Sequence, residues 1–228
     1  DDVLSRRQGD VAHCRSREGA LRLLQTIDAT PVRQRPAGRD DLVGSVGAGV
    51  EDDRRRAALA QIVQYGDPVL KSRASEVTEF DEALAEEIQR MIVLMREGLG
   101  VGLAATQVGK LRRLLVFQTN ADAEPQGVVN PEIEWLSEEA EVATEGCLSI
   151  PRVLVDVERP LFARVRGRDA KGDELLIEAA GHEARVLQHE IDHLDGVLIL
   201  DRTERSQRKG ALKALRRGES YSPPGDDE

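Results

Sequence analysis

Residues 181–196 read GHEARVLQHEIDHLDG, and this segment predicts a helix at the centre of the molecule. Its apolar residues recur at i, i+3, i+7 and i+10, a spacing that places them on one face for burial. These residues are Ala184, Leu187, Ile191 and Leu194. We expect Gly196 to end the helix, because glycine readily adopts the left-handed conformation that follows a last turn.

The opposite face of this helix carries two histidines. His189 and His193 are four residues apart, so both imidazoles can reach one metal ion. Glu190 is turned by about 100° around the axis, beside the metal, where it can act as a general base. Alternatively, the two histidines only form hydrogen bonds in a buried helix. We favour the metal site, because the chain has only four histidines and two of them have this spacing around a glutamate.

The HExxH pattern leaves the third metal ligand open. A thermolysin-like peptidase would take it from a downstream glutamate, and Glu219 has a suitable separation but lies in a tail rich in Gly, Ser and Pro. Cys147 is the better candidate, because a thiol near a divalent metal readily loses its proton. Taken alone, Cys147 would be interpreted as a small buried residue. The pattern therefore favours a Cys-His-His site with one open position.

The composition indicates one domain with an appendage. The 228 residues carry 32 Lys and Arg against 42 Asp and Glu, a net charge of −10, which argues against a protein that coats DNA with its whole surface. Neither Cys14 nor Cys147 belongs to a CxxC pair, so we expect no disulfide framework and a cytoplasmic location. No apolar run approaches the roughly 20 residues of a membrane span, so we expect no membrane partner.

The chain divides into three parts. Residues 1–58 mix Arg, Asp and Gly without a sustained period, and we expect a disordered or non-native extension there. Residues 59–200 form the predicted catalytic domain. Residues 201–228 contain a predicted basic helix, from Asp201 to about Arg217, and a polar tail.

The predicted fold class is α+β, with short antiparallel sheets packed around the central HExxH helix and a helix at the C-terminus. Asp81 is predicted to cap a further helix that ends at Gly98. Residues 169–172 predict a hairpin turn. Apolar runs and alternating patterns predict strands at residues 61–65, 114–117, 128–129, 133–136, 153–157, 162–165 and 175–177.

Three segments, in order along the chain, resemble the signature motifs of the peptide deformylase family. They are GVGLAATQ at 100–107, EGCLS at 145–149 and QHEIDH at 188–193. YGDPVL at 65–70 is also similar to that family. The resemblance extends from about Gln61 to about Leu200, and the three motifs together are far more specific than any one of them.

This resemblance implies an enzyme that hydrolyses the N-formyl group from the starting methionine of new polypeptides and releases formate. It implies Fe(II) as the metal in the cell, with Zn, Ni or Co able to replace it. Glu190 would act first as general base and then as general acid. Gln107 and the backbone N–H of Leu148 would form the oxyanion hole. The implied metal ligands are Cys147, His189 and His193.

The same resemblance implies that an extended peptide binds beside the metal as an added strand. A structural role for Glu145, paired with Arg185, is equally open. Two places depart from the family pattern. His182 and Glu183 stand where apolar residues are common, and Arg152 stands where a small residue is frequent. The residues implied along the substrate are Val101, Gly102, Glu145, Gly146, His182 and Arg185.

The C-terminal segment is strongly basic. Residues 202–217 hold seven Arg and Lys and one acid, Glu204, in a chain with a net charge of −10. They form either a solvated helix face or a surface that docks on the anionic RNA of the ribosome, as family members can.

Two other functions stay open at this point. One is a small HExxH metallo-endopeptidase, which the missing downstream glutamate and the candidate cysteine ligand disfavour. The other is a non-catalytic metal-binding or ribosome-associated module. A structural metal site would be closed by four protein ligands, and no well-placed fourth ligand is evident.

Overall fold

The computed structural model describes residues 45–120 and 122–224 and has the α+β architecture that the sequence predicts. The 3₁₀ helices in these residues are Pro68–Lys71 and Ala105–Val108. The α-helices are α1 (Ser45–Leu59), α2 (Glu82–Glu97), α3 (His182–Leu194), α4 (Ile199–Arg202) and α5 (Arg205–Arg217). The strands are β1 (Gly102–Ala104), β2 (Leu114–Phe117), β3 (Gln126–Leu136), β4 (Ala140–Cys147), β5 (Ile150–Pro160), β6 (Phe162–Arg168) and β7 (Glu174–Ala180).

The strands form two antiparallel sheets. Five strands lie in the order β1-β2-β3-β6-β7, and β4 and β5 form a separate hairpin. Strand β5 leads by a single residue, Leu161, into β6, so the hairpin that contains Cys147 is joined directly to the larger sheet.

Helix α3 packs its apolar face against the five-stranded sheet. The four residues of the predicted stripe are at most 3 % exposed, which confirms the face that the sequence selects for burial. Full burial of one leucine or isoleucine side chain contributes about 1.5–3 kcal/mol. Gly196 follows the helix with φ of 73°, and a Cβ there would lie 2.7 Å from the backbone oxygen of Lys71. Glycine is therefore required for the chain to turn so closely past Lys71.

Helix α2 has the caps that the sequence predicts. The side chain of Asp81 accepts a hydrogen bond from the backbone N–H of Leu84 at 2.9 Å, and Gly98 is the C-cap. A side-chain acceptor at the N-cap satisfies one of the free N–H groups of the first turn.

Strand β3 continues through Asn130 and Pro131, where the sequence predicts a break between two strands. The pairing of β3 with β6 shifts register between Val129 and Glu132, and Asn130 has φ of 51°. The Asn130 side chain also binds Val77, accepting from its N–H at 2.8 Å and donating to its carbonyl at 2.9 Å. A bulge here accommodates a proline that cannot donate to the ladder, so the strand bends without ending.

The strand predicted at residues 61–65 is wrong. The N–H of Val63 donates to Gln107 O and the N–H of Tyr65 donates to Ser149 O, both at 2.8 Å. Because Gln107 lies in the second 3₁₀ helix and Ser149 in the loop between β4 and β5, no ladder forms, and the segment instead connects these two elements.

Two predicted boundaries also need correction. Residues 45–59 form α1, which contacts α2 and buries Ala58 completely, so the expected disorder does not extend to residue 58. Residues 1–44 lie outside the described part of the chain. The single helix predicted from Asp201 is two helices, because Thr203 has extended backbone angles between α4 and α5.

Helix α5 is attached to β5 near both of its ends. The side chain of Gln207 accepts from the N–H of Asp156 at 2.8 Å and donates to its carboxylate at 2.9 Å. Beyond the helix, the N–H of Tyr221 donates to Arg152 O at 2.9 Å, and Tyr221 O accepts from the N–H of Leu154 at 2.8 Å. Within the described residues, no helix is long and apolar enough to cross a membrane.

Candidate metal centre

Two elements bring three metal-binding side chains together. Cys147 is the last residue of β4, and His189 and His193 lie one turn apart on α3. Their ligand atoms all lie within 4.8 Å of one another, and Cys147 Sγ is 3.2 Å from His193 Nε2. One thiolate and two imidazoles suit zinc or iron and leave a position free in a tetrahedral shell. The residues therefore fit a divalent transition metal.

The two histidines have different electrostatic surroundings. His193 is 1 % exposed, and burial together with the charge of His189 lowers its pKa well below the usual value. Burial also opposes protonation of His189, but hydrogen bonds with Cys147 and Glu145 raise its pKa to about 10. His193 is thus neutral and can donate a lone pair, whereas a protonated His189 would have to lose a proton before it could bind a metal.

Glu145 orients His189. Its Oε2 lies 2.9 Å from His189 Nδ1, which assigns a proton to Nδ1 and leaves Nε2 for a metal. Arg159 donates to both oxygens of Glu145, at 2.6 and 3.0 Å, and Arg185 donates to Oε1 at 2.8 Å. Burial favours the neutral acid, but the hydrogen bonds from His189 and Arg159 lower the pKa of Glu145 to about 2. The carboxylate is therefore ionised at neutral pH.

Glu190 is a buried carboxyl group beside the metal-binding cluster. It is 4 % exposed, and its Oε2 has no hydrogen-bond partner among the described residues. Burial raises its pKa to about 7, although the charges of His189 and Arg159 oppose that rise. Such a group can both take up and release a proton near neutral pH.

The side chain of Gln107 is directed at the cluster. Its Oε1 accepts the backbone N–H of Ala104 at 2.8 Å, which turns its amide nitrogen toward Cys147 Sγ, 3.6 Å away, and Ser149 Oγ, 3.4 Å away. The segment of residues 100–107 also packs on the loop that follows Cys147, since a Cβ on Gly100 would lie 2.9 Å from Leu148 Cδ1. The structure thus brings all three sequence motifs to one place.

A family model for polypeptide deformylase matches residues 59–209. The chain belongs to the polypeptide deformylase family.

Curated relatives and solved structures agree with this assignment. A peptide deformylase of Thermotoga neapolitana is 49% identical over 151 residues, which are 66% of this chain and 91% of the relative. Peptide deformylase 1 of Corynebacterium efficiens is 45% identical over 160 residues, 69% of this chain and 95% of the relative. The crystal structure of a peptide deformylase from Synechococcus elongatus, in complex with actinonin, has a TM-score of 0.65 and 39% identity, and covers 70% of this chain and 88% of that one.

Polypeptide deformylase membership does not by itself say which side chains contact a substrate. Among the predicted contacts, Val101 is 42 % exposed, Gly146 and His182 are also exposed, and Gly102 begins the edge strand β1. Their contacts with a peptide stay predictions.

Glu145 and Arg185 form the ion pair that the structural alternative for Glu145 predicts. Both oxygens of Glu145 are bound by Arg159, Arg185 or His189. Arg185 also donates to the backbone oxygens of Glu141 and Val157, at 2.7 and 2.8 Å. The carboxylate is thus fully hydrogen-bonded inside the protein, where it supports His189, and any contact of Glu145 or Arg185 with a peptide stays a prediction.

Sequence reasoning missed two residues of this polypeptide deformylase site, Arg159 and Asp192. Arg159 Nη1 donates to Asp192 Oδ2 at 2.9 Å, and both residues are buried. A signal for Arg159 was present in the sequence, because it continues the buried side of β5 after Val153, Val155 and Val157. A buried arginine at such a position requires acid partners.

Proposed function

We propose that this protein hydrolyses the N-formyl group of formyl-methionine at the N-terminus of newly made polypeptides and releases formate. The observation that carries the proposal is the convergence of Cys147, His189 and His193 within 4.8 Å, beside the buried carboxyl group of Glu190. Membership of the polypeptide deformylase family supports the same reaction.

The proposed metal ligands are Cys147, His189 and His193. A bound divalent ion supplies Lewis acidity, which polarises the formyl carbonyl and makes water a stronger acid. We propose Fe(II) as the ion in the cell, with Zn, Ni or Co able to replace it, since thiolate and imidazole ligands suit all four. The neutral state of His193 and the Nδ1 contact between His189 and Glu145 support this ligand set.

Glu190 moves the protons in the proposed reaction. It accepts a proton from the attacking water and later delivers one to the departing amine, so that formate and a free α-amino group are formed. Its pKa of about 7 suits both steps, because the acid and the base forms are both populated at neutral pH.

Two donors stabilise the negative charge that develops on the formyl oxygen. They are Nε2 of Gln107, which the N–H of Ala104 orients, and the backbone N–H of Leu148. Removal of one such donor typically lowers kcat by about 10²–10³.

The substrate peptide extends beside β1, which is the terminal strand of its sheet. In this arrangement Val101, Gly102 and Gly146 contact the peptide backbone. His182 lies close to the side chain of the N-terminal methionine. A formyl carbon carries only hydrogen. An acetyl carbon carries a methyl group in place of that hydrogen. Because Gly102 packs closely against Glu190, we expect too little space at the reacting carbon for this methyl group.

The deciding experiment measures formate release from formyl-Met-Ala-Ser by anaerobically purified, metal-loaded protein. We expect rapid release by the wild type, and loss of release in Cys147→Ser and in Glu190→Gln, the latter with its metal retained. Acetyl-Met-Ala-Ser and casein serve as controls and should stay intact. Cleavage of casein would identify an endopeptidase instead, and no release by a fully loaded wild type would overturn the proposal.

The ribosome, in the cytoplasm, is the proposed site of action. The exposed side of α5 would supply the contact, because Ala211 and Ala214 face inward while its basic residues point to solvent. Replacing Arg205, Lys209, Lys213 and Arg217 by Gln should weaken co-sedimentation with ribosomes and spare turnover of free peptide. The matched control changes Arg54, Arg55, Arg90 and Lys171, which are also exposed, to Gln. Equal loss in both variants would show a general charge effect and not a docking surface.

A further inference from the structure

Arg202, the last residue of α4, forms a two-point contact with Asp192 on α3. Its Nε donates to Asp192 Oδ2 at 3.0 Å and its Nη2 to Oδ1 at 2.5 Å. The Arg202 side chain is 50% exposed and that of Asp192 is 10% exposed. The contact therefore joins the protein surface to a buried carboxylate on the helix that carries both histidines.

A continuous series of hydrogen bonds leads from Asp192 to the metal centre. Asp192 Oδ2 accepts from Arg159 Nη1 at 2.9 Å. The other two donors of Arg159 bind Glu145 at 2.6 and 3.0 Å, and Glu145 Oε2 contacts His189 Nδ1 at 2.9 Å. Four side chains thus connect solvent to the proposed ligand His189.

Arg202 is the main hydrogen-bond donor to the Asp192 carboxylate. Of the three hydrogen bonds that reach this carboxylate from the described residues, Arg202 supplies two and Arg159 supplies one. A buried carboxylate that loses two donors is costly, because it has also lost its hydration. Arg159 would then be drawn toward Asp192 and away from Glu145, and the support for His189 would loosen.

We propose that Arg202 is a positioning residue for the metal centre: by satisfying Asp192 it leaves Arg159 free to hold Glu145 against His189. This role rests on the metal site of the proposed function and extends it to a residue at the start of the basic C-terminal segment. The outer partners of a metal ligand typically change metal affinity by about 10–100-fold when they are lost.

Other contacts already hold α4 in place without the Arg202 head group. Ile199 and Leu200 are each 2 % exposed, and Lys71 Nζ lies 2.6 Å from Asp201 Oδ2. Lys71→Gln is therefore a matched control. It removes an ion pair from the same short helix without touching the series that ends at His189.

The test measures how fast Co²⁺ is lost from the loaded protein to an excess of a chromogenic chelator, at a temperature well below unfolding. We expect Arg202→Gln to release the ion about tenfold faster than the wild type, a value at the lower limit for outer partners of a ligand. Lys71→Gln should release Co²⁺ at the wild-type rate. Arg202→Lys keeps the charge but has a single nitrogen donor, so its release rate should lie between those of the wild type and Arg202→Gln.

Each outcome decides a separate point. Wild-type release by Arg202→Gln, or equally fast release by Lys71→Gln, would overturn the role of Arg202 while the proposed reaction stands. A wild type that binds no Co²⁺ would overturn the metal site and this role with it. Comparison of kcat and KM adds a second readout, since loosening of His189 should lower kcat and leave KM nearly unchanged.

Discussion

Gly102 lies directly against the side chain of Glu190, so that a Cβ at position 102 would come within 2.8 Å of both Cγ and Cδ of that glutamate. Gly102→Ala must therefore displace Glu190, while the three proposed metal ligands stay in place. We expect kcat for formyl-Met-Ala-Ser to fall by roughly tenfold or more, as for a misplaced general base. Metal content should equal that of the wild type, and loss of metal in this variant would contradict the explanation.

Gln107→Glu removes the side-chain N–H donor of the proposed oxyanion hole but keeps the oxygen that binds Ala104. The new side chain keeps an oxygen that can accept the N–H of Ala104, but it has no amide N–H and brings a negative charge. We expect kcat to fall by about 10²–10³ with little change in KM. Steady-state kinetics on metal-loaded protein provide the check, and an unchanged kcat would exclude Gln107 from transition-state stabilisation.

Arg152 occupies a left-handed backbone conformation, with φ of 62°. Residues other than glycine are strained there by about 1–2 kcal/mol, which gives a physical reason for a small residue at this place. Because glycine also raises the entropy of the unfolded chain, we expect Arg152→Gly to stabilise the protein by about 0.5–1 kcal/mol net. Thermal unfolding would show a higher Tm for Arg152→Gly than for the wild type, by about 2–4 °C for each kcal/mol of stabilisation.

Glu158→Gly is the control for this substitution. It places glycine at an exposed position of the same strand β5, in regular pairing with Val142 of β4. We expect destabilisation by about 0.5–1 kcal/mol there. A gain in stability at both positions would show that backbone strain at residue 152 is not the cause.

Asp201 makes stability depend on pH in the acid range. Burial acts to raise its pKa, but hydrogen bonds from Lys71 and Leu198 lower the pKa below the usual value. A carboxyl group with a lowered folded-state pKa contributes stability above its unfolded-state pKa, and this contribution is lost as the pH falls through the folded-state pKa.

Asp201→Asn should therefore lower the free energy of unfolding at pH 7 by about 1 kcal/mol or less. The difference from the wild type should shrink as the pH falls below about 4, because the carboxyl group of the unfolded chain begins to be protonated there while the folded one is protonated only at lower pH. Urea unfolding of both proteins at pH 7 and pH 3 measures this, and a difference of equal size at both pH values would contradict it.

The local pattern of the sequence was sufficient to predict the central helix, its buried face and the pair of histidines. Helical periodicity ties these features to one another over a few residues, so no long-range information was needed. The capping of α2 by Asp81 and the turn at residues 169–172 are local in the same sense. The strand predicted at residues 61–65 is wrong because the hydrogen bonds of this segment go to two separate, distant parts of the chain.

Only the tertiary structure decided how the charged side chains pair around the metal centre. Glu145 meets Arg159 across the β4–β5 hairpin and meets Arg185 and His189 across its contact with α3. Asp192 meets Arg202 because the chain turns back after Gly196. Such pairs depend on strand register and helix packing, and many combinations of the same acids and arginines are compatible with the sequence. The sequence alone thus determined which residues can do chemistry, while packing determined which of them hold the others in position.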